Sequence, residues 1–208
     1  MNKVFSLLFA VAIVGAACNK TQETRQTSGS ASDEPLQTVA EMRAEEQANA
    51  KVTIVKFNDY QCPGCAFFYS FEKQLKQDFG DDVAIISKHF PLSIHPYAHA
   101  ASRSVEAARK QGKYQEMHEL IFVGQQQWAQ GNAEAIFIGY AQSLGLDIDQ
   151  FTADMNSAEM NKIVMEDRRE GIDLAIRSTP TFFINGDLIE NNPPSYELFK
   201  ELVESYMD

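Results

Sequence analysis

Two cysteines at C-x-x-C spacing, Cys62 and Cys65, most constrain what this chain can fold into. They follow a β-branched run at residues 52–57, which predicts a buried strand, and they open an apolar-periodic run at residues 63–79, which predicts a helix. Pro63 is typical of the first helical turn, so Cys62 is the predicted N-cap. A cysteine pair between a strand and a helix indicates redox chemistry.

The start of the helix gives the two cysteines different expected roles. The unpaired amides and the positive end of the helix dipole favour a thiolate at Cys62, which we expect to be the exposed nucleophile. Cys65 lies nearly one turn further along the same face, where we expect Phe68 and the sheet to shield it. Cys65 is therefore the expected resolving thiol, and the spacing alone leaves the direction of the reaction open.

Residues 1–17 predict an export signal. A short basic start precedes eleven apolar residues at 4–14, too few to span a bilayer, and small residues lead up to Cys18. This ending resembles a bacterial lipobox, in which the cysteine is lipidated, although Gly15 stands where Leu is usual. Ordinary signal cleavage nearby, which would leave Cys18 free or removed, is the alternative. If Cys18 carries lipid, the C-x-x-C pair holds the remaining thiols, as suits an oxidising compartment.

Five further segments follow from composition and periodicity. A polar segment predicts a flexible linker, and the next segment predicts a short lead-in helix. A strand, a helix and a second strand come next, then a mainly helical block, and finally a hairpin around Asn185-Gly186 with a last helix. In chain order, the predicted segments are 18–35, 36–50, 51–95, 96–176 and 177–208.

This order of elements predicts the fold class. A β-α-β unit followed by an antiparallel hairpin and a helix is the thioredoxin fold, an α/β fold with a central mixed sheet flanked by helices, and here it carries an inserted helical domain. Phe67, Phe71, Leu75 and Phe79, spaced at four-residue steps on the first helix, and Leu198 on the last helix are expected in the core. Within the helical block, one helix is expected over residues 113–127 and a short turn near residues 147–155.

Four segments carry a resemblance to the DsbA-like thiol:disulfide oxidoreductases of the bacterial cell envelope, over roughly residues 50–207. The most specific part is a C-P-x-C motif joined to a downstream T-P-T-F-F-I-N-G. The four segments are 57–65, 88–96, 106–118 and 178–186.

The resemblance implies an enzyme that introduces disulfides into exported proteins by exchange through the C-x-x-C pair, with Pro63 and Gly64 as the active-site dipeptide. It implies that the Thr179–Pro180 bond is cis, that Pro180 faces the pair, and that the backbone of Thr179 binds an extended substrate peptide. No cofactor beyond the redox-active disulfide is implied. A quinone-linked membrane oxidoreductase is the implied partner for reoxidation.

Two positions depart from the family. Relatives commonly place a buried acid six residues before the first cysteine, where this chain has Lys56. A charged lysine cannot accept a proton, so Lys56 either lowers a thiol pKa as a redox-tuning residue or snorkels to solvent. Gly64 stands where the best-known oxidases have histidine, so we expect a less extreme oxidant.

Charge and the export signal together predict where the protein acts. A formal net charge of −11 argues against binding nucleic acid or anionic headgroups. With a lipid on Cys18, we expect a monomer in the cell envelope, periplasmic or on the outer face of a membrane. Its substrates would be exported proteins with cysteine thiols.

Several alternatives remain at this point. An envelope reductase or isomerase would have the same fold, but dimeric isomerases carry a separate dimerisation domain, for which residues 19–50 are short and polar. A zinc site formed by the C-x-x-C pair with His95 and His99 is disfavoured, because the gap of 29 residues exceeds the usual spacing of about 12–15; we predict no metal. The presence of both cysteines argues against a non-catalytic lipoprotein adaptor.

Three further residues are candidates for a role in the site. His89 and His118 lie in the resemblance segments, and we interpret them as structural histidines. Trp128 could line a substrate groove or pack in the core.

Overall fold

The computed structural model describes residues 41, 44, 47, 48 and 50–207. The predicted export signal, Cys18 and the predicted linker lie outside these residues. The described residues of the predicted lead-in helix before residue 50 are helical. No helix in the described part of the chain is long and apolar enough to cross a membrane.

A mixed sheet forms the centre of the fold, as predicted. It consists of β1 (Val52–Asn58), β2 (Val83–His89), β3 (Thr181–Ile184) and β4 (Asp187–Leu188), in the spatial order β2-β1-β3-β4. β1 pairs in parallel with β2 and antiparallel with β3, and β3 and β4 form the predicted hairpin. β1 therefore lies inside the sheet, and the chain leaves it directly into the C-x-x-C motif.

Helices cover the sheet and form the insertion between β2 and β3. α1 (Pro63–Phe79) begins and ends where the sequence predicts, and a 3-10 turn (Gly80–Asp82) leads into β2. The other helices are α2 (Ala98–Arg109), α3 (Tyr114–Val123), α4 (Gln125–Trp128), α5 (Ala133–Ser143), α6 (Ile148–Met155), α7 (Ala158–Asp173) and α8 (Tyr196–Glu204).

Two predictions about the insertion are wrong. The helix expected over residues 113–127 is divided at Gly124, where the hydroxyl of Tyr140 occupies the space that a Cβ would need. The turn expected near residues 147–155 is the two-turn helix α6, whose N-cap Asp147 accepts a hydrogen bond from Gln150 N at 2.9 Å. Such a cap satisfies an amide that the helix leaves unpaired, so a short helix is stable there.

Two large apolar side chains expected in the core are exposed. Phe67 is 52% exposed and Leu198 is 48% exposed. Steps of four residues advance about 40° per step around a helix with 3.6 residues per turn, so they drift off one face. The buried face of α1 follows steps of three and four residues instead, through Cys65, Phe68, Glu72 and Leu75.

The described residues form one core on the sheet, another in the insertion, and a smaller cluster of Phe57, Phe90 and Ile176. The sheet core joins β1 and β3 to α1 and α8 through residues such as Ile54, Phe68 and Phe199. The insertion core contains Trp128 and Phe137, and it extends to Tyr60 and Cys65 beside β1. The C-x-x-C motif therefore lies where the two cores meet.

Gly171 lies where α7 packs tightly against neighbouring aromatic rings. A Cβ at Gly171 would lie 2.5 Å from Phe90 and 3.0 Å from Phe57, whereas a Cβ at Gly139 in α5 would meet nothing within 4 Å. We expect Gly171→Ala to lower the free energy of unfolding by about 1–3 kcal/mol through overpacking. As the matched control, Gly139→Ala should raise it by about 0.5–1 kcal/mol. Urea denaturation measures both, and equal effects would contradict the packing described here.

Candidate active site

The two cysteines of the motif begin α1, and both are free thiols. Cys62 is the N-cap and Pro63 occupies the first turn, as predicted. Cys62 is half-buried, whereas Cys65 has no exposed surface. Cys65 belongs to the insertion core and not to the sheet core that contains Phe68. The insertion therefore contributes to the shielding that the sequence predicted for Cys65.

The surroundings of Cys62 favour its thiolate. A hydrogen bond from the Cys65 thiol contributes most to lowering the pKa of Cys62 to about 5, and partial burial opposes this shift. The Thr179 side chain and the amides of Cys65 and Gly64 lower it further. The Cys62 side chain makes no capping hydrogen bond of normal geometry, and Cys65 N donates to Cys62 O at 3.1 Å. The neighbouring thiol therefore matters more than the capping geometry expected from the sequence.

Cys65 has the opposite character. Burial raises the pKa of the Cys65 thiol well above its ordinary value, and the hydrogen bond to Cys62 raises it further. The positive charge of Lys56 and the backbone amide of Asp59, which lies 3.5 Å from Cys65 Sγ, act in the other direction. Because the two pKa values move apart, the reduced pair holds one thiolate and one thiol at neutral pH.

The loop before β3 forms the other side of the site. The Thr179–Pro180 peptide bond is cis, and Cys62 Sγ lies 3.3 Å from Thr179 O. The Thr179 hydroxyl is buried without a partner of normal hydrogen-bond geometry, although it lowers the pKa of Cys62. A Cβ at Gly64 would lie 3.3 Å from Pro180 Cδ. Two segments more than a hundred residues apart in sequence thus meet at the Cys62 sulfur.

Asp59 fixes the turn between β1 and α1, and the sequence analysis missed it. Its buried carboxylate accepts hydrogen bonds from Gln61 N (2.7 Å) and Leu92 N (2.8 Å), and it pairs with His95 Nδ1 (2.7 Å). The Asp59 amide is thereby held toward Cys65. The sequence signal was the position of Asp59 between a strand and a cysteine motif, where a short acceptor can organise a turn.

His95 therefore pairs with Asp59, which is not part of the zinc pattern of two cysteines and two histidines. Within the part of the chain that the structure describes, no three His, Cys, Asp or Glu side chains are arranged to hold a metal ion. His89 Nε2 is 2.8 Å from Glu106 Oε1, and His118 Nδ1 is 2.7 Å from the Tyr60 hydroxyl, both buried. These two contacts give His89 and His118 structural partners.

Gln125, another residue that the sequence analysis missed, joins the insertion to the active-site turn. Its Nε2 donates to Tyr60 O at 2.7 Å and to Cys62 O at 3.0 Å. Trp128, one turn later, is completely buried and donates from Nε1 to Ile121 O at 2.7 Å. Trp128 therefore packs in the core, which decides between the two interpretations of that residue.

Lys56 does not snorkel to solvent. It lies on the same face of β1 as Val52 and Ile54, has no exposed surface and forms an ion pair with Glu72 of α1. The period of two in a strand forces this direction on its side chain. Its charge lowers the pKa of Cys65 against the effect of burial. Lys56 thus acts on the buried thiol of the pair.

Comparison with known proteins agrees with this geometry. Residues 46–205 match the thioredoxin family. The chain therefore belongs to the thioredoxin family. The motif of this thioredoxin-family chain carries both cysteines, and the pKa values of the two thiols move apart.

Two solved structures are similar to this chain over most of their length. A thioredoxin-like oxidoreductase from Silicibacter pomeroyi DSS-3 is 25% identical, with a TM-score of 0.64 over 76% of this chain and 87% of that one. BdbD from Bacillus subtilis is 24% identical, with a TM-score of 0.68 over 77% of this chain and 90% of that one. These matches confirm the predicted fold.

The curated relatives are much longer proteins. The Na(+)/H(+) antiporter NhaA 1 of Salinispora arenicola is 36% identical over 139 residues, which is 66% of this chain but 20% of that protein. The chain thus spans about a fifth of the length of the curated relatives it matches. The resemblance concerns one part of those antiporters.

The split between the two thiols can be measured directly. We expect Cys62 to ionise with a midpoint near pH 5. Replacing the donor in Cys65→Ala should move this midpoint upward. The thiolate absorbance of the reduced protein, with that of Cys62→Ala subtracted, isolates Cys62 from the other cysteines. An unchanged midpoint in Cys65→Ala would contradict the role of the Cys65 thiol.

Proposed function

We propose that this protein is a cell-envelope oxidase that introduces disulfides into exported proteins by exchange through Cys62 and Cys65. The observation that carries the proposal is the half-exposed Cys62, whose pKa is lowered to about 5 beside a buried thiol. A stabilised thiolate lowers the free energy of the dithiol form, and the disulfide form is then a stronger oxidant.

The reaction transfers two electrons from a substrate dithiol to the protein disulfide. A substrate thiolate attacks Cys62 Sγ, a substrate–Cys62 bond forms, and the electron pair of the broken bond goes to Cys65 Sγ. The second substrate thiol, once deprotonated, attacks the substrate sulfur of the mixed disulfide and releases Cys62 as the thiolate. Cys62 is a good leaving group because its thiolate is stabilised where it lies.

Thr179 and Pro180 are the proposed substrate-binding residues. The Thr179 carbonyl lies beside the Cys62 sulfur, just before β3 begins. An extended peptide could pair with this backbone by β-augmentation, which recognises main chain and leaves side chains free to vary. The absence of a side chain at Gly64 keeps this approach open. Such recognition suits an enzyme that accepts many unfolded substrates.

Export, anchoring and recycling complete the proposal. The apolar leader and the lipobox-like ending support a lipid anchor at Cys18 on the periplasmic or outer face of a membrane. The protein would act as a monomer without a further cofactor. A quinone-linked membrane oxidoreductase would then reoxidise the pair, since each turnover leaves the protein as a dithiol.

The reduction potential of the pair tests the direction of electron flow. We expect a value closer to the about −120 mV of DsbA than to the about −270 mV of thioredoxin, and less extreme than DsbA because of Gly64. Equilibration with glutathione buffers in a Cys18→Ala background measures this pair alone. A value near that of thioredoxin would favour a reductase and contradict the oxidase proposal.

Stability and its pH dependence give an independent test. The pKa of Cys62 is lowered on folding, so its thiolate contributes stability that is lost as pH falls through about 5. The pKa of Cys65 is raised, so its contribution is complete below the unfolded value of about 8.5 and is lost only above it.

We therefore expect the reduced protein to melt at a higher temperature than the oxidised protein at pH 7. The difference should shrink as pH falls toward 5, because only the reduced protein contains the thiolate. Thermal melts of both forms between pH 5 and 8 measure it. A more stable oxidised form at pH 7 would contradict the proposed direction.

A further inference from the structure

The ion pair between Lys56 and Glu72 lies directly behind the active site. Lys56 of β1 has no exposed surface and Glu72 of α1 is 6% exposed. Burial raises the pKa of Glu72, whereas the charge of Lys56 and its hydrogen bond lower it, so the Glu72 carboxylate depends on its partner. Lys56 Nζ also lies 4.8 Å from the centre of the Phe122 ring, which helps to accommodate its cation.

The neighbours of this pair leave Lys56 as the main charge acting on Cys65. Burial lowers the pKa of His118 and raises that of Tyr69, so both are neutral near pH 7. Tyr60 is likewise held neutral, because burial raises its pKa. Lys73 and Glu119 are half-exposed and pair with each other at 2.8 Å. The titratable and charged groups around Lys56, Glu72 and Cys65 include Tyr60, Cys62, Tyr69, Lys73, Lys76, Asp81, Tyr114, His118 and Glu119.

A Lys56 ammonium that is not paired with Glu72 would favour a thiolate at Cys65 instead of Cys62. Its charge favours ionisation of Cys65, yet the thiolate on Cys62 depends most on a hydrogen bond from a neutral Cys65 thiol. One proton is shared between the two sulfurs of the reduced pair, so a cation close to Cys65 moves that proton to Cys62. The thiolate would then lie on the sulfur that substrates cannot reach.

We propose that Glu72 is a positioning residue for the exchange reaction: by holding the Lys56 ammonium, it keeps Cys65 a neutral thiol and confines the thiolate of the reduced pair to Cys62. The inference rests on the proposed exchange at Cys62. When exchange opens the disulfide, the electron pair of the broken bond goes to Cys65 Sγ, which takes up a proton from water. Cys65 then serves as the donor to Cys62.

Glu72 also borders a pocket. It lines a pocket of about 700 Å³ between α1, β2 and α3, together with His118 and Ser87. Lys56 and Cys65 do not line this pocket. Of Lys56, Glu72 and Cys65, Glu72 is therefore the one that borders this pocket.

A double-mutant cycle tests the proposal through the pH profile of Cys62 alkylation. Reduced proteins are treated with iodoacetamide across pH 3–9, and mass spectrometry assigns the label to each cysteine. Wild type should show a midpoint near pH 5 for Cys62. Glu72→Gln should raise it by about one pH unit, so that alkylation below the midpoint is about tenfold slower. Lys56→Met/Glu72→Gln should restore the wild-type midpoint, because no cation then competes for the thiolate.

The controls separate this effect from a general loss of charge or of folding. Glu119→Gln removes an exposed carboxylate nearby and should leave the midpoint unchanged. If Glu72→Gln does not fold, Lys56→Met alone still tests the proposal, since it should keep the Cys62 midpoint at or below that of wild type. An upward shift in Lys56→Met, an unshifted Glu72→Gln, or a shift that persists in the double variant would overturn it.

The alkylation assay also distinguishes failure of this inference from failure of the proposed function. It requires no substrate and no redox partner, so it reports only where the thiolate lies. A wild-type protein that does not exchange with glutathione would contradict the proposed function. An exchange-competent wild type with an unshifted Glu72→Gln variant would contradict the role of Glu72 alone.

Discussion

The hydrogen bond from the Cys65 thiol to the Cys62 sulfur is the interaction on which the chemistry of the site depends. It contributes most to the lowered pKa of Cys62, and it requires Cys65 to stay protonated. Burial in the insertion core secures that protonation, because a thiolate is costly where water is excluded. The helical insertion thus contributes to the reactivity of a cysteine that lies in the thioredoxin part of the chain.

Much of the fold could be predicted from local signals. Pro63 after Cys62 marked the start of α1, the Asn185-Gly186 pair marked the hairpin, and a β-branched run marked β1. The exposure of Phe67 was missed because steps of four residues were taken for one helical face. Boundaries inside the insertion were missed where a tertiary contact, such as Tyr140 against Gly124, decides them.

The site was predictable where chemistry is local and unpredictable where it depends on packing between distant segments. Cys62 and Cys65 follow from the motif, and Thr179 and Pro180 follow from the family resemblance. Asp59 and Gln125 act through backbone groups across the fold, for which the sequence has no short-range pattern. Glu72 could have been found, because it shares the buried face of α1 with Cys65, and Lys56 shares the buried face of β1 with Ile54.

The two hydrogen bonds of Gln125 have a consequence for cooperativity. They attach the insertion to the carbonyls of Tyr60 and Cys62, so the insertion cannot open without releasing acceptors in the active-site turn. Local opening of either region therefore breaks hydrogen bonds of the other, so we expect the two to open as one cooperative unit in hydrogen exchange. An inserted domain that could have been an independent appendage is in this way part of the same folding unit as the thiol pair.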